Sequence, residues 1–283
     1  MCIRDRSVDS AIDTQVSNII KRVRTHGDTE LLAMTRQFDE VDAAELSELE
    51  IGQDELASAW AALDSDAQQA LQTAAGRIRR FHERQREDSW SYVDELGCEL
   101  GQKVRPLDRV GVYVPGGRAA YPSSVLMTLI PAKVAGVKEV VVVSPTPSGE
   151  RNAMVLAALH LAGADRVFAV GGAQAVAALA YGTQSVPRVD KIVGPGNAYV
   201  AAAKKQVFGD VGIDMVAGPS EVMVVADADM DLEWVVEDLF AQAEHDDNAQ
   251  SILVTKDIGF AKRVLERINQ RLEDLDDGVT LKN

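Results

Sequence analysis

Beyond Val104, short runs of β-branched residues alternate with alanine-rich helical patterns in a regular order. The predicted strands, which are apolar on both faces, cover residues 110–114, 139–143, 166–170, 191–193, 213–216, 222–226 and 251–254. The predicted helices between them cover residues 123–135, 150–162, 173–180, 198–208, 231–245 and 259–272. Strands that are buried on both faces and separated by single helices are typical of parallel βαβ units with right-handed crossovers. The pattern therefore predicts a doubly wound α/β protein.

The first hundred residues have a different texture, and their apolar spacing predicts helices. One apolar helical face ends at Gly27 and consists of Ile12, Val16, Ile19, Ile20 and Val23. Asp28 is expected to cap a second helix that runs to Phe38, and Asp54 and Ser65 are expected to be the N-caps of two more. Residues 1–7 show no amphipathic period and are expected to be a non-native leader. The N-terminal region is therefore predicted to be mainly helical.

The length of the chain sets the scale of the fold. The 283 residues, of which 46% are hydrophobic, suffice for about two globular domains. After the last predicted helix, residues 275–283 contain no further convincing element. The sequence is therefore expected to be a truncated form of a longer protein.

The charge and the cysteine content of the chain indicate which partners it can bind and in which cellular compartment it occurs. The chain has 44 acidic and 29 basic residues, a net charge of −15, which repels nucleic-acid phosphates and anionic membrane surfaces. No uncharged apolar run approaches the roughly 20 residues that span a bilayer, and the N-terminus lacks the apolar core of a secretory signal. Cys2 and Cys98 are too few for a disulfide framework and too far apart for a paired-cysteine zinc motif. These observations predict a cytoplasmic protein that binds neither nucleic acid nor membranes.

Three predicted strands run into glycine-bearing turns that open a helix. The turns are Val114-Pro-Gly-Gly117, Val170-Gly-Gly-Ala-Gln174 and Val193-Gly-Pro-Gly-Asn197. In a parallel sheet such turns share one edge, where backbone amides and helix N-termini can bind phosphate. The G-x-G-x-x-G fingerprint is absent, however, and no acidic residue is well placed for a ribose, so the glycines fit either a nucleotide site or tight βα turns. Tyr113, Gln174 and Asn197 lie in or beside these turns, where each is also compatible with ordinary loop polarity.

The predicted helix over residues 231–245 carries a glutamine and a histidine three residues apart. Gln242 and His245 project from the same side and can reach one cation or one polar substrate. A histidine in the last turn of a helix also interacts well with the helix dipole and needs no other role. The remaining histidines fit structural roles: His26, His82 and His160. Ser220 lies in a rigid turn but lacks the G-x-S-x-G elbow of a hydrolase nucleophile. The residues alone do not assemble a complete metal site.

Six motifs, taken together, resemble those of the histidinol dehydrogenase family. They are GVYVPGG at 111–117, YPSSVLM at 121–127, GGAQAV at 171–176, DKIVGPGNAY at 190–199, AGPSE at 217–221 and AQAEH at 241–245. Their order and spacing match throughout residues 8–282, and six motifs in register are far more specific than any one of them. The resemblance implies a zinc-dependent cytoplasmic homodimer that oxidises L-histidinol through histidinal to L-histidine. That reaction uses two NAD and ends histidine biosynthesis.

The resemblance also implies roles for individual residues and a domain plan. By motif match, Tyr113, Gln174 and Asn197 would contact NAD, Ser220 would contact the substrate, and Gln242 and His245 would bind both zinc and the substrate. The implied fold has two Rossmann-like domains. The first covers residues 8–110 and 221–283, and the second, residues 111–220, is inserted into it.

The reaction that the resemblance implies is incomplete within this chain. The glutamate and histidine of the acid/base pair, the remaining zinc ligands and the tail that completes the partner's site would all lie beyond Asn283. The chain is therefore expected to hold no catalytic residue and to be inactive alone. Two alternatives stay open: a sister dehydrogenase that oxidises another hydroxy compound, such as a sulfonated diol, and a non-catalytic binding or assembly module.

Overall fold

The structure is a computed structural model that describes residues 10–116, 121–216, 221–244 and 249–273. The chain divides into two compact units, Met1–Val216 and Ala217–Asn283. The helices of the first unit are α1 (Ser10–His26), α2 (Asp28–Asp39), α3 (Gln53–Ala62), α4 (Ser65–Glu83), α5 (Pro122–Val134), α6 (Ala153–Ala162), α7 (Gly172–Tyr181) and α8 (Ala198–Val207). Its strands are β1 (Glu50–Ile51), β2 (Trp90–Val93), β3 (Glu99–Gln102), β4 (Arg109–Tyr113), β5 (Glu139–Val143), β6 (Arg166–Phe168), β7 (Lys191–Val193) and β8 (Gly212–Ile213). The second unit contains β9 (Glu221–Val225), α9 (Leu232–Ala243), β10 (Gln250–Val254) and α10 (Ile258–Glu273).

Six strands of the first unit form one sheet in the order β1-β6-β5-β4-β7-β8. The strands from β4 to β8 pair in parallel, and β1 joins the edge by antiparallel pairing with β6. The chain builds outward from β4 through β5 to β6, and then returns to place β7 and β8 on the other side of β4. The direction of the strand order therefore reverses beside β4, and the predicted α/β class with a parallel sheet is confirmed.

Helices cover both faces of this sheet. The helices α3, α4, α5 and α6 pack with one another, and α1, α7 and α8 form a second packed group. Because crossovers are right-handed and the strand order reverses at β4, α5 and α6 lie on the opposite face from α7 and α8. The four consecutive valines of β5, Val140 to Val143, are completely buried as a result. The helices of the N-terminal region share one hydrophobic core with the sheet.

One predicted helix cap has a different role in the structure. The helix α2 begins at Asp28, but its N-cap is Gly27, which has no side-chain cap bond. The Asp28 carboxylate instead accepts hydrogen bonds from Ser185 N at 3.2 Å and from Ser185 Oγ at 2.6 Å. The prediction that Asp28 caps α2 is therefore wrong, because its carboxylate is hydrogen-bonded to Ser185 and not to the helix.

The next two predicted caps lie one or two residues from the observed ones. The N-cap of α3 is Gly52, and that of α4 is Asp64, whose carboxylate accepts a hydrogen bond from Ala67 N at 2.7 Å. Asp54 and Ser65 therefore lie within the first turns of their helices. The predicted strand over residues 213–216 is also displaced, since β8 covers Gly212–Ile213.

A β-hairpin interrupts the mainly helical N-terminal region and was not predicted. The strands β2 and β3 pair antiparallel, and Asp94 holds their turn by accepting hydrogen bonds from Leu96 N and Cys98 N. All eight residues of the two strands are exposed. The apolar alternation is limited to Trp90-Ser91-Tyr92, whose two aromatic rings stack on each other and are more than half exposed, so the pattern is too short to predict a strand.

The second unit is a small α/β element. The strands β9 and β10 pair in parallel, and Asp231 caps α9 by accepting a hydrogen bond from Glu233 N. Its buried hydrophobic cluster consists of Ala226, Val235, Val236, Leu239, Phe240, Phe260 and Val264. The discontinuous domain over residues 8–110 and 221–283, with residues 111–220 inserted, stays a prediction. None of the helices in the described part of the chain combines the length and the apolar character that a bilayer crossing requires.

Candidate functional site

A cleft of about 500 Å³ lies where the polypeptide leaves the carboxyl ends of the parallel strands of the first unit. In open α/β sheets this is where ligands bind, next to the strands between which the order reverses. The lining residues are Gln15 and Ile19 of α1, Phe38 and Asp39 of α2, Tyr113, Pro115 and Gly116 after β4, Pro145 and Pro147 after β5, Gly172, Ala173 and Gln174 of α7, and Gly196, Asn197 and Tyr199 at the start of α8. The structure thus brings Tyr113, Gln174 and Asn197 together in one cleft.

Tyr113 ends the central strand β4 and is almost completely buried at the floor of the cleft. Its hydroxyl oxygen accepts a hydrogen bond from Gly172 N at 3.0 Å. Burial raises the pKa of the Tyr113 phenol to about 12, with a smaller raising effect from the Asp39 charge and an opposing effect from the Gly172 N–H. The phenol therefore keeps its proton at neutral and moderately alkaline pH and is a hydrogen-bond donor.

The first turn of α7 contributes an amide side chain and backbone donors. Gly172 has φ +62°, and a Cβ at this position would lie 2.5 Å from Gln174 Oε1. Glycine therefore allows the buried Gln174 amide to fold back over the start of its own helix. The N–H groups of Ala173 and Gln174 have no intrahelical acceptor, because they belong to the first turn. This helix end offers donors and a partial positive charge to an anionic ligand.

Asn197 places a second amide at the cleft, at the start of α8. It is the N-cap of this helix, and its Oδ1 accepts a hydrogen bond from Val200 N at 3.1 Å. Because the oxygen is used for the cap, the Nδ2 hydrogens are the part of the amide that can serve a ligand. Capping and ligand binding are therefore compatible in one side chain.

A buried lysine holds the turn that presents Asn197. Lys204, only 2% exposed, forms an ion pair with Asp214 and donates a hydrogen bond from Nζ to Gly194 O at 2.9 Å. Asp214 Oδ2 in turn accepts a hydrogen bond from Gly194 N at 2.8 Å. Gly194 has φ +109°, and a Cβ there would lie 2.1 Å from Tyr113 O. The glycine and the ion pair together fix the turn against the end of β4.

Asp39 is a cleft residue that sequence reasoning missed. It is the last residue of α2, and its Oδ2 atom is buried without a hydrogen-bond partner among the described residues. Burial raises the pKa of this carboxyl to about 6. No spacing or motif marks Asp39 in the sequence, because its place in the cleft depends on how α2 packs in the first unit.

The residues predicted to bind metal and substrate are only partly covered by the structure. Gln242 lies in the last turn of α9 and is partly buried, whereas Ser220 and His245 lie outside the described residues. Within the described ranges, no group of three or more His, Cys, Asp or Glu side chains is arranged to hold a metal ion.

Two of the other histidines make contacts that agree with structural roles. His160 stacks on Trp60 with ring centroids 6.4 Å apart. His82 Nδ1 is hydrogen-bonded to Gln85 Oε1 at 2.6 Å. Neither histidine lines the cleft that contains Tyr113.

Comparison with known proteins identifies the family to which the chain is similar. A model of the family described as histidinol dehydrogenase matches residues 3–283. The histidinol dehydrogenase of Nitrosomonas europaea is 58% identical over 269 residues, which cover 95% of this chain and 62% of that protein. The histidinol dehydrogenase of Aromatoleum aromaticum is 59% identical over 267 residues, which cover 94% of this chain and 61% of that protein.

A solved structure agrees with these sequence relatives. The crystal structure of histidinol dehydrogenase from Elizabethkingia anophelis superposes with a TM-score of 0.83 at 35% sequence identity, covering 93% of this chain and 61% of that one. The chain therefore spans about three fifths of the length of the relatives it matches. A match of the family model over nearly the whole chain, relatives well above half identical and a shared fold lead to one conclusion: the chain belongs to the histidinol dehydrogenase family.

Proposed function

We propose that this chain supplies the NAD-binding part of an enzyme that oxidises L-histidinol through histidinal to L-histidine. The observation that carries the proposal is the cleft at the reversal of the sheet, which collects Tyr113, Gln174 and Asn197 in a member of a dehydrogenase family. These are the same three residues for which the sequence motifs imply contact with NAD.

The cleft residues fit a dinucleotide in their chemistry. The free N–H groups at the start of α7 suit a pyrophosphate, since amides and the helix dipole both favour negative charge. The Tyr113 hydroxyl and the amides of Gln174 and Asn197 are donors for ribose and carboxamide oxygens. Apolar surface for the rings comes from Ile19, Phe38 and Pro145.

Bound NAD would supply the hydride acceptor, and the protein would orient it. Within the cleft, Tyr113 holds its proton because its pKa is about 12, so its role is to donate a hydrogen bond and not to act as a base. Gly194 and Lys204 keep the Asn197 turn in place, so that little ordering remains to be done when the cofactor binds. In this proposal the general acid and base lie beyond Asn283, and the chain alone binds NAD without reducing it.

Zinc, Ser220, Gln242 and His245 form the second part of the proposal. Gln242 and His245 would be two zinc ligands, and Ser220 would contact the substrate. A zinc site usually needs four donors, and the described residues of the second unit do not assemble such a set by themselves. The enzyme is further proposed to be a cytoplasmic homodimer. Measurement of its molecular mass in solution tests whether it is a dimer.

Calorimetric titration of NAD into the purified chain tests the cleft. Asn197→Ala is expected to weaken NAD binding about tenfold, because its amide donates to the cofactor. Asn152→Ala is the matched control, since Asn152 caps α6 in the same way but does not line the cleft. Equal affinity in both variants, or no binding of NAD by the unmodified chain, would reject the assignment of the cleft.

Activity tests the substrate. A version extended to the length of the relatives, assayed with NAD, zinc and histidinol, is expected to form NADH, and the 283-residue chain is expected to form none. Turnover of a different hydroxy compound in place of histidinol by the extended version would favour the sister dehydrogenase. Turnover of histidinol by the shorter chain would show that the acid and base lie within it.

A further inference from the structure

A buried carboxylate oxygen in the cleft lacks a partner. Asp39 Oδ2 is inaccessible to solvent, and no donor within hydrogen-bond distance occurs among the described residues. Leaving a buried polar atom unpaired costs free energy, so such an atom calls for an explanation. Because Asp39 lines the cleft, rotation of its carboxylate about χ2 would turn this oxygen toward a bound ligand, which would provide the missing donor.

The place of Asp39 in the fold indicates which donor. In doubly wound sheets an acidic residue at the carboxyl end of the second strand binds the hydroxyls of the adenosine ribose. Here β5 is the parallel neighbour of β4 and the next strand along the chain, but Val143, Ser144 and Pro145 at its carboxyl end include no acid. The helix α2 packs beside the turn Pro147–Gly149 that follows β5, and Asp39 lines the same cleft as Pro145 and Pro147. An acid from a helix far away in sequence thus reaches the region where β5 itself supplies none.

The charges around the cleft favour a hydroxyl over a phosphate. The titratable side chains that line the cleft within the described residues are Asp39, Tyr113 and Tyr199, and no lysine or arginine is among them. A 2′-phosphate placed against Asp39 would meet a carboxylate, and the described lining residues include no cation to offset the repulsion. A 2′-hydroxyl would instead donate to the unpaired oxygen.

We propose that Asp39 binds the adenosine ribose of the cofactor, accepting a hydrogen bond from its 2′-hydroxyl at Oδ2, and thereby selects NAD over NADP. This inference rests on the proposed function, because it assumes that the cleft holds a nicotinamide dinucleotide. Asp39 is then a specificity-determining residue that contacts the cofactor away from the reacting carbon.

A pH dependence of binding follows. Burial raises the pKa of the Asp39 carboxyl to about 6, and a donated hydrogen bond favours the ionised form. Among the described residues, the other titratable groups that line the cleft are the phenols Tyr113 and Tyr199, and burial raises the pKa of Tyr113 to about 12. NAD affinity is therefore expected to rise as the pH increases from about 5 to about 7 and then to level off.

Calorimetric titration of NAD and of NADP into the full 283-residue chain provides the test. Asp39→Asn is expected to weaken NAD binding about tenfold, to leave NADP binding unchanged or tighter, and to abolish the rise in NAD affinity between about pH 5 and pH 7. Asp42→Asn removes an equal charge from the exposed residue three positions further on and is expected to change none of these quantities. Asp39→Ser is a second variant, and circular dichroism verifies that each variant is folded.

The outcomes separate this inference from the proposed function. NAD binding by the unmodified chain that is unaltered in both Asp39 variants would overturn the role of Asp39 and leave the cleft assignment standing. An equal loss of NAD and NADP affinity would overturn the selection of NAD by the 2′-hydroxyl. No NAD binding by the unmodified chain would overturn both proposals.

Discussion

The two units of the chain use the same kind of βαβ element but cover it to different degrees. In the first unit, helices on both faces bury every valine of β5. In the second unit, β9 alternates between exposed and partly buried residues, and Met223 and Val225 are 61% and 74% exposed. Parallel strands gain their stability from burial on both faces, so the difference indicates a rigid first unit and a weaker second one.

The difference also bears on function. The described residues that line the proposed cofactor cleft all belong to the first unit, where Tyr113 and Gln174 are almost completely buried. Gln242, the described member of the predicted zinc pair, lies in the last turn of a helix whose unit has only seven buried hydrophobic residues among those described. A site built on well-packed elements is held in place before its ligand arrives. Cofactor binding is therefore expected to depend little on the second unit.

Hydrogen exchange should give the largest contrast. The amides of β5 are expected to exchange more than about a thousandfold more slowly than those of β10, because opening the first unit exposes far more apolar surface. Mass spectrometry of short peptides from each strand measures the ratio. The adjacent strand β4 is the internal control and should exchange at the rate of β5. Similar protection in β5 and β10 would show that the two units unfold as one, and the inferred difference in rigidity would be wrong.

A pair of matched truncations sharpens the comparison. Leu129 of α5 is completely buried in the first unit, and Leu239 of α9 is nearly buried in the second. We expect Leu129→Ala to lower the free energy of unfolding by about 3 kcal/mol and Leu239→Ala to lower it by roughly 1 to 2 kcal/mol, because a site near the surface relaxes around the cavity. Both values can be measured by denaturant unfolding in which amide hydrogen exchange reports on each unit separately. Equal costs would contradict the difference in packing.

Replacement of a residue in the Lys204–Asp214 ion pair tests whether NAD binding depends on a turn that is fixed before the cofactor binds. Lys204→Met is expected to cost about 2 kcal/mol, because it leaves Asp214 without its cation and Gly194 O without its donor. NAD affinity should fall as well, since Asn197 then loses a fixed turn. Lys205→Met alters the adjacent exposed lysine and serves as the control for both measurements. A destabilised variant that binds NAD with unchanged affinity would show that the turn does not need this support.

The elements that depend on local pattern could be predicted from the sequence. The strand β5 and the helix α7 could be predicted because most of their residues are apolar, as is typical of elements that are buried on all sides. Parallel strands also bring their carboxyl ends to one edge of the sheet, so Tyr113, Gln174 and Asn197 could be placed together from the sequence alone. That reasoning needs only the order of strands and turns along the chain.

Features that depend on tertiary contacts could not be predicted from the sequence. Asp28 has the spacing of a helix cap, yet Ser185, far away in sequence, takes its carboxylate. The hairpin of β2 and β3 has no buried face, and its apolar alternation covers only Trp90 to Tyr92. Asp39 reaches the cleft only through the packing of α2 beside the turn after β5. For Asp28 and Asp39 the determining contact joins segments that no local pattern connects.

The smallest expected effect concerns Asp39 in the absence of any ligand. Burial raises the pKa of its carboxyl from 3.8 to about 6, and its place at the end of α2 puts a negative charge at the negative pole of the helix. A raised carboxyl pKa means that the folded state holds the proton more tightly than the unfolded state. The carboxyl therefore destabilises the fold progressively as the pH rises from about 4, and the destabilisation is complete above about pH 6.

Asp39→Asn removes that charge and should stabilise the first unit by about 1 kcal/mol at about pH 8, after allowance for partial solvent screening, and by much less near pH 4. Thermal unfolding of the unmodified chain and the variant at the two pH values measures the difference, with Asp42→Asn as the control. The same substitution is expected to weaken NAD binding, so stability and affinity should change in opposite directions. A variant that is less stable at the higher pH would show that Asp39 supports the fold, and the unpaired oxygen would then need a different explanation.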